Sequence, residues 1–256
     1  MVRELLIAGW KDVSLVDVAG RTSFTIWVCG CNLKCPFCHN WRLADVDPNV
    51  CRFVGINELV EEVVHASRLT DYLHVTGGEP LIQLEPLKVL LRLVRDLIPN
   101  LRLSINTNCT MPSRLKELIK SGLVDHVATD AKIPFSKLSG AGRYANELWG
   151  FFVESLKLVS SSDVELELRI PVSKGLLEPR ELANEVAELI EVTKLRNYYV
   201  VVNPLRGPPI TNPRSPEWCR KYCDPPKEVV EEVINELVSL GIHVRGYLNT
   251  HKSRPK

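Results

Sequence analysis

Residues 21–40 read RTSFTIWVCGCNLKCPFCHN. The first half is dense in β-branched and aromatic residues, the composition of a buried strand. The second half places Cys31, Cys35 and Cys38 in the spacing C-x3-C-x2-C. A strand that runs straight into three thiols delivers a ligand loop at its carboxyl end. If the rest of the chain repeats strands in parallel, other functional groups should collect at that same end.

Working outward, the pattern does repeat. INELVEEVVHASR has helical spacing, with Asn57 as a plausible N-cap. The segment DYLHVT reads as a strand that ends in GGEP, and LEPLKVLLRLVRDLI as a helix. LRLSINT is a strand, SRLKELIKSG a helix closed by glycine, and LVDHVAT a strand. Next come the helix ELWGFFVESLKLVSS, the strand VELELRIPV and the helix PRELANEVAELIEV, with proline in its first turn. YYVVVNP is a strand, KEVVEEVINELVSLG the last helix, and IHVRGYL a possible final strand. Strand and helix alternate about six times, which implies an α/β fold with a parallel sheet and right-handed crossovers. No linker or break in composition divides residues 1–256, so one domain is expected. On this reading Asn106, Thr107 and Asn108 end the third strand, and Asp130 and Lys132 end the fourth. Arg169 lies late in the fifth. The cysteines, GGEP and these groups should share one rim.

Bulk properties exclude several classes. The chain has 256 residues, 45% hydrophobic and 25% charged, with net charge +1. That balance gives no global field toward nucleic acid or an anionic membrane, so neither is expected as a partner. The basic ending HKSRPK reads as a short solvated tail. The opening MVRELLIAGWKD lacks a signal-peptide pattern and no apolar run is long enough to span a bilayer, so a cytoplasmic protein is expected. Eight cysteines in such a chain point to metal or catalysis more than to a disulfide framework. A single glutamine, two methionines and 17 prolines lean toward a thermophile, although the asparagines argue against it. In a hyperthermophile an intracellular disulfide becomes possible.

Three thiols in one tight loop suit an iron–sulfur cubane, whose fourth iron then stays open for chemistry. The competing reading is zinc, with Cys29 or His39 as fourth ligand. Cys29 and Cys31 flank one residue at the end of a strand and should not converge easily, and no second C-x2-C pair exists. Cys51 and Cys109 read as small apolar core residues. His39 reads as a loop-ordering hydrogen-bond group, and His65, His74, His126 and His243 share no spacing. Cys219 and Cys223 would share one helix face and suit half a metal site, a disulfide or coincidence. The proline-rich stretch NPLRGPPITNPRSPEW could wall the site.

CNLKCPFC and TGGEP at 76–80 resemble the two signatures of the radical S-adenosylmethionine (SAM) superfamily. SLVDVAGRTSFTIWVCGCNLKCPFCHN resembles the opening of the glycyl-radical-enzyme activases, such as those of anaerobic ribonucleoside-triphosphate reductase and pyruvate formate-lyase. The likeness is good over 13–175 and weak beyond, including 203–256. It implies a partial (βα)6 TIM-type barrel, a [4Fe–4S] cluster on Cys31, Cys35 and Cys38, and SAM chelating the open iron. It also implies reductive cleavage to a 5′-deoxyadenosyl radical. By residue, it places Phe37 near the adenine and Gly77, Gly78 and Glu79 at the SAM amino group. Asn106 and Thr107 fall in the INTN stretch, Asp130 and Lys132 near the SAM carboxylate, and Arg169 on the fifth strand. The family commonly has aspartate where Asn106 stands, which weakens the case for a monovalent cation beside SAM. The implied partners are a glycyl radical enzyme as protein substrate and an electron donor such as flavodoxin or ferredoxin. The alternatives are a radical SAM enzyme for another substrate (small molecule, peptide or RNA) and, more remotely, a non-enzymatic zinc module. Roughly 60 residues follow Val192, little more than a barrel's end.

Overall fold

Phe24, Ile26 and Val28 alternate with Ser23, Thr25 and Trp27 along one strand, and the two sets face opposite ways. The first set joins the hydrophobic core that the helices cover. The second faces the concave interior of the sheet. The same division recurs in the neighbouring strands. Val75, Ile105, Val127, Leu168 and Val200 enter the core, whereas His74, Ser104, His126, Glu167 and Tyr199 bond to one another on the inner face.

The structure, a computed structural model, describes residues 3–247; the basic ending and Leu248 lie outside the described residues. The strands are β1 (Glu4–Val18), β2 (Arg21–Val28), β3 (Arg52–Gly55), β4 (Tyr72–Gly77), β5 (Arg102–Asn106), β6 (His126–Asp130), β7 (Glu165–Val172), β8 (Tyr198–Pro204) and β9 (Val244–Tyr247). The helices are α1 (Trp41–Ala44), α2 (Ile56–Ala66), α3 (Leu84–Leu97), α4 (Pro112–Lys120), α5 (Phe135–Leu138), α6 (Ala145–Ser160), α7 (Pro179–Thr193), α8 (Pro216–Tyr222) and α9 (Lys227–Ser239). All strands form one sheet in the order β3-β1-β2-β4-β5-β6-β7-β8-β9. From β2 through β9 the pairs are parallel, whereas β1 is antiparallel to β2 and β3. This is the expected mixed α/β partial TIM-type barrel. The helical faces are as the periodicity predicts: Leu87, Leu90, Leu91 and Val94 of α3 are all fully buried. Each such side chain contributes about 1.5–3 kcal/mol by leaving water.

One local expectation fails, and one element went unread. Gly55, in extended conformation, is the N-cap of α2, and Asn57 sits inside the first turn. The long strand β1 is not visible as a repeat element in the sequence. Its register against β2 slips between Ile7 and Gly9, between Lys11 and Ser14, and between Ser14 and Val18. Each slip breaks the period of two that marks a strand. Gln83, the sole glutamine, stitches this strand to the barrel. It accepts from Leu6 N and donates to the Leu6 and Cys29 carbonyls.

Candidate functional site

The loop after β2 is held by backbone bonds on three sides. Gly30 N and Cys31 N donate to the Leu43 and Ala44 carbonyls of α1 at 2.9 and 3.1 Å. Lys34 N donates to the Ser139 carbonyl, just past α5, at 3.2 Å. Arg214 N and Ser215 N donate to the Cys38 and Pro36 carbonyls at 3.0 and 2.9 Å. Of the proline-rich stretch, this last part is therefore a strut for the cysteine loop. Cys31 and Cys38 are half-buried and Cys35 is buried, and all three are free thiols. Burial raises the pKa of each, and of Cys35 to about 12. The charges of the Cys31 and Cys38 sulfurs raise Cys35 further, so the three lie close enough to feel one another. As thiolates they need compensating positive charge.

The second wall is the turn after β4, and its glycines are obligatory. Gly77 has φ +109°, and a Cβ there would lie 2.6 Å from the Val28 carbonyl oxygen. At Gly78 a Cβ would lie 2.0 Å from the Gly30 carbonyl oxygen. With no side chains in the way, Gly78 N and Glu79 N donate to those carbonyls at 2.8 and 2.7 Å. The GGE turn is thus laid directly on the backbone that feeds the cysteine loop. Glu79 is fully buried. Its carboxylate accepts from Leu81 N at 3.0 Å, Thr107 Oγ1 at 2.8 Å and Asn108 N at 2.6 Å. Burial raises its pKa, against the lowering effect of these donors. Glu79 therefore locks the GGE turn to the end of β5.

Beyond Glu79, Asn108 Nδ2 donates to Asn32 Oδ1 at 2.8 Å and approaches Cys31 Sγ at 3.8 Å. Thr110 Oγ1 closes this set, donating to Asn108 and accepting from Asn32. Asn106 Nδ2 bonds Thr76 Oγ1 at 3.1 Å. Lys132 is buried, with Asp130 at 3.4 Å. Burial alone would lower its pKa, but Asp130 and the Cys35 and Cys31 sulfurs raise it above the ordinary lysine value. The ammonium is thus a fixed positive charge facing the thiols. Phe37 packs on Trp218, ring centroids 6.1 Å apart, within a small cluster with Leu138, Leu205, Cys219 and Cys223. Arg169 is turned to other partners: Nε donates to Glu167 at 2.5 Å and Nη2 to the Asp17 carbonyl at 2.6 Å, across the barrel interior.

Three expectations for the remaining polar groups change. Cys51 is bonded to Cys29 in a disulfide, not packed as a free core thiol, which also removes Cys29 as a fourth ligand. The cause is spatial: β3 pairs with β1, which carries Cys51 back beside the end of β2. Cys219 and Cys223 form the second disulfide, whereas Cys109 is a buried free thiol, as expected. His39 has no hydrogen-bond partner among the described residues, and burial lowers its pKa. His74 and His126, unrelated by spacing, are joined through Ser104 at 2.8 Å on either side. Ser139 and Arg214 escaped the sequence reading because they act on the cysteine loop from a distance in the chain, and Asn32, inside the loop, because its partners Asn108 and Thr110 are distant.

The donor set fits a cubane held by three cysteines. Among the described residues no three His, Cys, Asp or Glu side chains are grouped to hold a single metal ion. The loop offers three free thiols, with the buried Lys132 ammonium to offset their charge. A half-barrel of parallel strands with this loop on its carboxyl rim defines an iron–sulfur radical enzyme. The chain belongs to the radical SAM superfamily, whose profile matches residues 25–178, and whose cofactors are a [4Fe–4S] cluster and SAM. It is 32% identical over 132 residues to a protein of Methanocaldococcus jannaschii provisionally named a glycyl-radical enzyme activating enzyme, covering 52% of each chain. It is 33% identical over 118 residues to the 7-carboxy-7-deazaguanine synthase of Hyperthermus butylicus, covering 45% of this chain and 46% of that one. The chain thus spans about half the length of these curated relatives. The structure of a radical SAM methyltransferase from Sphaerobacter thermophilus superimposes with TM-score 0.67 at 19% identity, over 89% of this chain and 66% of that one. Among the described residues no helix is long and apolar enough to cross a membrane.

Proposed function

We propose that this protein is a glycyl-radical-enzyme activase, with Cys31, Cys35 and Cys38 as ligands of its cluster. When bound, the cluster and SAM supply a 5′-deoxyadenosyl radical. The chain's own residues do the rest. The GGE turn offers backbone polar groups to the methionine end of SAM, held in place by Glu79 through Thr107 and Asn108. Lys132, steadied by Asp130, is the cation for the SAM carboxylate and for the charge of the thiolates. Asn106 and Thr76 shape the adjoining wall, and Phe37, backed by Trp218, offers an apolar surface to the adenine. Arg169, engaged by Glu167 and Asp17, can reach SAM only with its remaining N–H groups.

The observation that carries the activase reading is the likeness of residues 14–40 to activase openings, joined to the 32% identity with the M. jannaschii protein. The substrate is then a glycine Cα–H on a partner protein, whose loop must dock with reacting atoms roughly 3–3.5 Å apart. The electron comes from a donor such as flavodoxin or ferredoxin. The test mixes reduced protein, SAM and an anaerobic reductase of the same organism. A doublet glycyl radical signal should appear by electron paramagnetic resonance, and deuterium at the glycine Cα should pass into 5′-deoxyadenosine. The likeness to a deazaguanine synthase favours a second reading, a small-molecule substrate. Label entering 5′-deoxyadenosine from a metabolite, with no radical on the partner, would decide for it.

A further inference from the structure

Arg214 stands beside the cysteine loop, in the segment between β8 and α8. That segment is a braced unit. At its far end, Cys219 of α8 and Cys223 just past it are bonded in a disulfide. The Asp224 carboxylate accepts from Gly207 N at 3.2 Å, and Asp224 N donates to the Leu205 carbonyl at 2.8 Å. From this brace, Arg214 N and Ser215 N reach the Cys38 and Pro36 carbonyls. The Arg214 side chain pairs through Nη1 with Asp45, which also pairs with Lys34 of the loop. On the opposite side Gly140, at φ +65°, lies so close that a Cβ would come within 2.1 Å of the Lys34 carbonyl oxygen. The loop is therefore clamped, and Arg214 belongs to the clamp.

Its guanidinium is only partly used. Nη1 is paired, while Nε and Nη2 are buried with no hydrogen-bond partner among the described residues. A buried, unmatched charged donor is costly unless an acceptor faces it. The neighbouring residue is Cys38, whose carbonyl accepts from Arg214 N at 3.0 Å, so the guanidinium is anchored on the cysteine loop itself. Three thiolates on a cubane carry negative charge, and one-electron reduction adds more. A fixed cation at this spot favours the reduced form.

We propose that Arg214 is a positioning residue for the cluster, one whose unmatched N–H groups and charge, anchored beside Cys38, raise the cluster's reduction potential. The inference rests on the reading of Cys31, Cys35 and Cys38 as ligands, and not on the identity of the substrate. Its test is redox titration of the reconstituted protein alone, without SAM or partner, in wild type, R214Q, R214K and D45N. R214Q should lower the ratio of reduced to oxidised cluster about tenfold at a fixed potential, a downward shift of about 59 mV for one electron. R214K keeps the charge and should stay within about threefold of wild type. D45N keeps Arg214 but cuts the strap to Lys34. It should lose iron to a chelator several-fold faster, with no downward shift in potential. Full iron content with an unchanged potential in R214Q would overturn the proposal. So would a D45N shift equal to that of R214Q, because loosening alone would then explain it. Should R214Q fail to hold iron, R214K decides: an equally empty R214K makes the residue a folding element only. A wild-type protein with no cluster would instead refute the ligand assignment.

Discussion

The rim and the interior floor of the half-barrel both bury polar side chains, and they satisfy them in opposite ways. The floor closes on itself. Arg169 beside Glu167 brings that carboxyl below its ordinary pKa, against the effect of burial, so it is an acceptor only. Tyr199 must then donate to it, at 2.7 Å. The Tyr199 oxygen is left to accept from His126 Nε2–H at 3.1 Å. His126 Nδ1 accepts in turn from Ser104, whose oxygen accepts from His74 Nδ1–H. Both imidazoles are neutral along this chain, and burial pushes His126 down to about 4. The rim does not close. Burial lifts its thiols far from ionisation, Lys132 faces them, and Arg214 keeps unmatched donors. Polar groups that satisfy one another stabilise a fold, whereas groups set against thiols and left unmatched are arranged for a ligand.

The largest break in this contrast is Cys35→Ala. Iron and sulfide content, and 5′-deoxyadenosine formation, should fall to background, while the urea midpoint of the metal-free protein stays close to wild type. A full-strength cluster in that variant would remove Cys35 from the ligand set.

The floor should respond in the reverse sense. Glu167→Gln leaves Arg169 buried without its counter-charge, a change worth about 3–5 kcal/mol. Denaturant unfolding should show that loss, with iron content per folded molecule unchanged. A midpoint near wild type would mean that Arg169 finds another partner.

Glu79→Gln tests the seam between the two regions. It exchanges a carboxylate that accepts three hydrogen bonds for an amide with one acceptor oxygen. Stability should drop by about 1.5–3 kcal/mol and SAM affinity should fall with it, the cluster remaining. Loss of stability with unaltered SAM binding would make Glu79 a lock for the turn alone.

Acid should loosen the floor more gently. The folded pKa of His126 is about 4, below the ordinary histidine value, so the unfolded chain takes up its proton first as pH falls. The contribution of His126 is complete above about pH 6.5 and is lost as pH drops through 4. Unfolding midpoints taken at neutral pH and at two points inside that window should decline steadily. The smallest effect belongs to the double serine replacement of Cys219 and Cys223. Their disulfide braces the strut without touching the thiols of the loop, so iron content and SAM cleavage should match wild type. Loss of about four irons, a cubane's complement, would mean a second cluster.

Much of this architecture was legible in the chain because its signals are local. A run such as TIWV or YYVVV buries itself wherever it is placed, and helix faces such as that of α3 repeat at the helical period. The spacing of Cys31, Cys35 and Cys38 is likewise a property of one short loop, and Gly77–Glu79 is a turn written in consecutive residues. What the chain could not disclose was contact between distant residues. β1 was hidden because its bulges erase the alternation. The Cys29–Cys51 bond depends on β3 pairing with β1, and Gln83 acts on Leu6 and Cys29 from elsewhere in the chain. The chain from His74 to Glu167 joins five strands, no two of its members being related by a fixed spacing. Arg214 is one arginine in a proline-rich stretch until folding sets it on the Cys38 carbonyl. Periodicity and motif spacing are set by each residue's near neighbours along the backbone, so sequence alone determined most strands and helices and the spacing of the three cysteines. The partners of a buried polar atom are set by which strands lie side by side, and only the tertiary structure decided those.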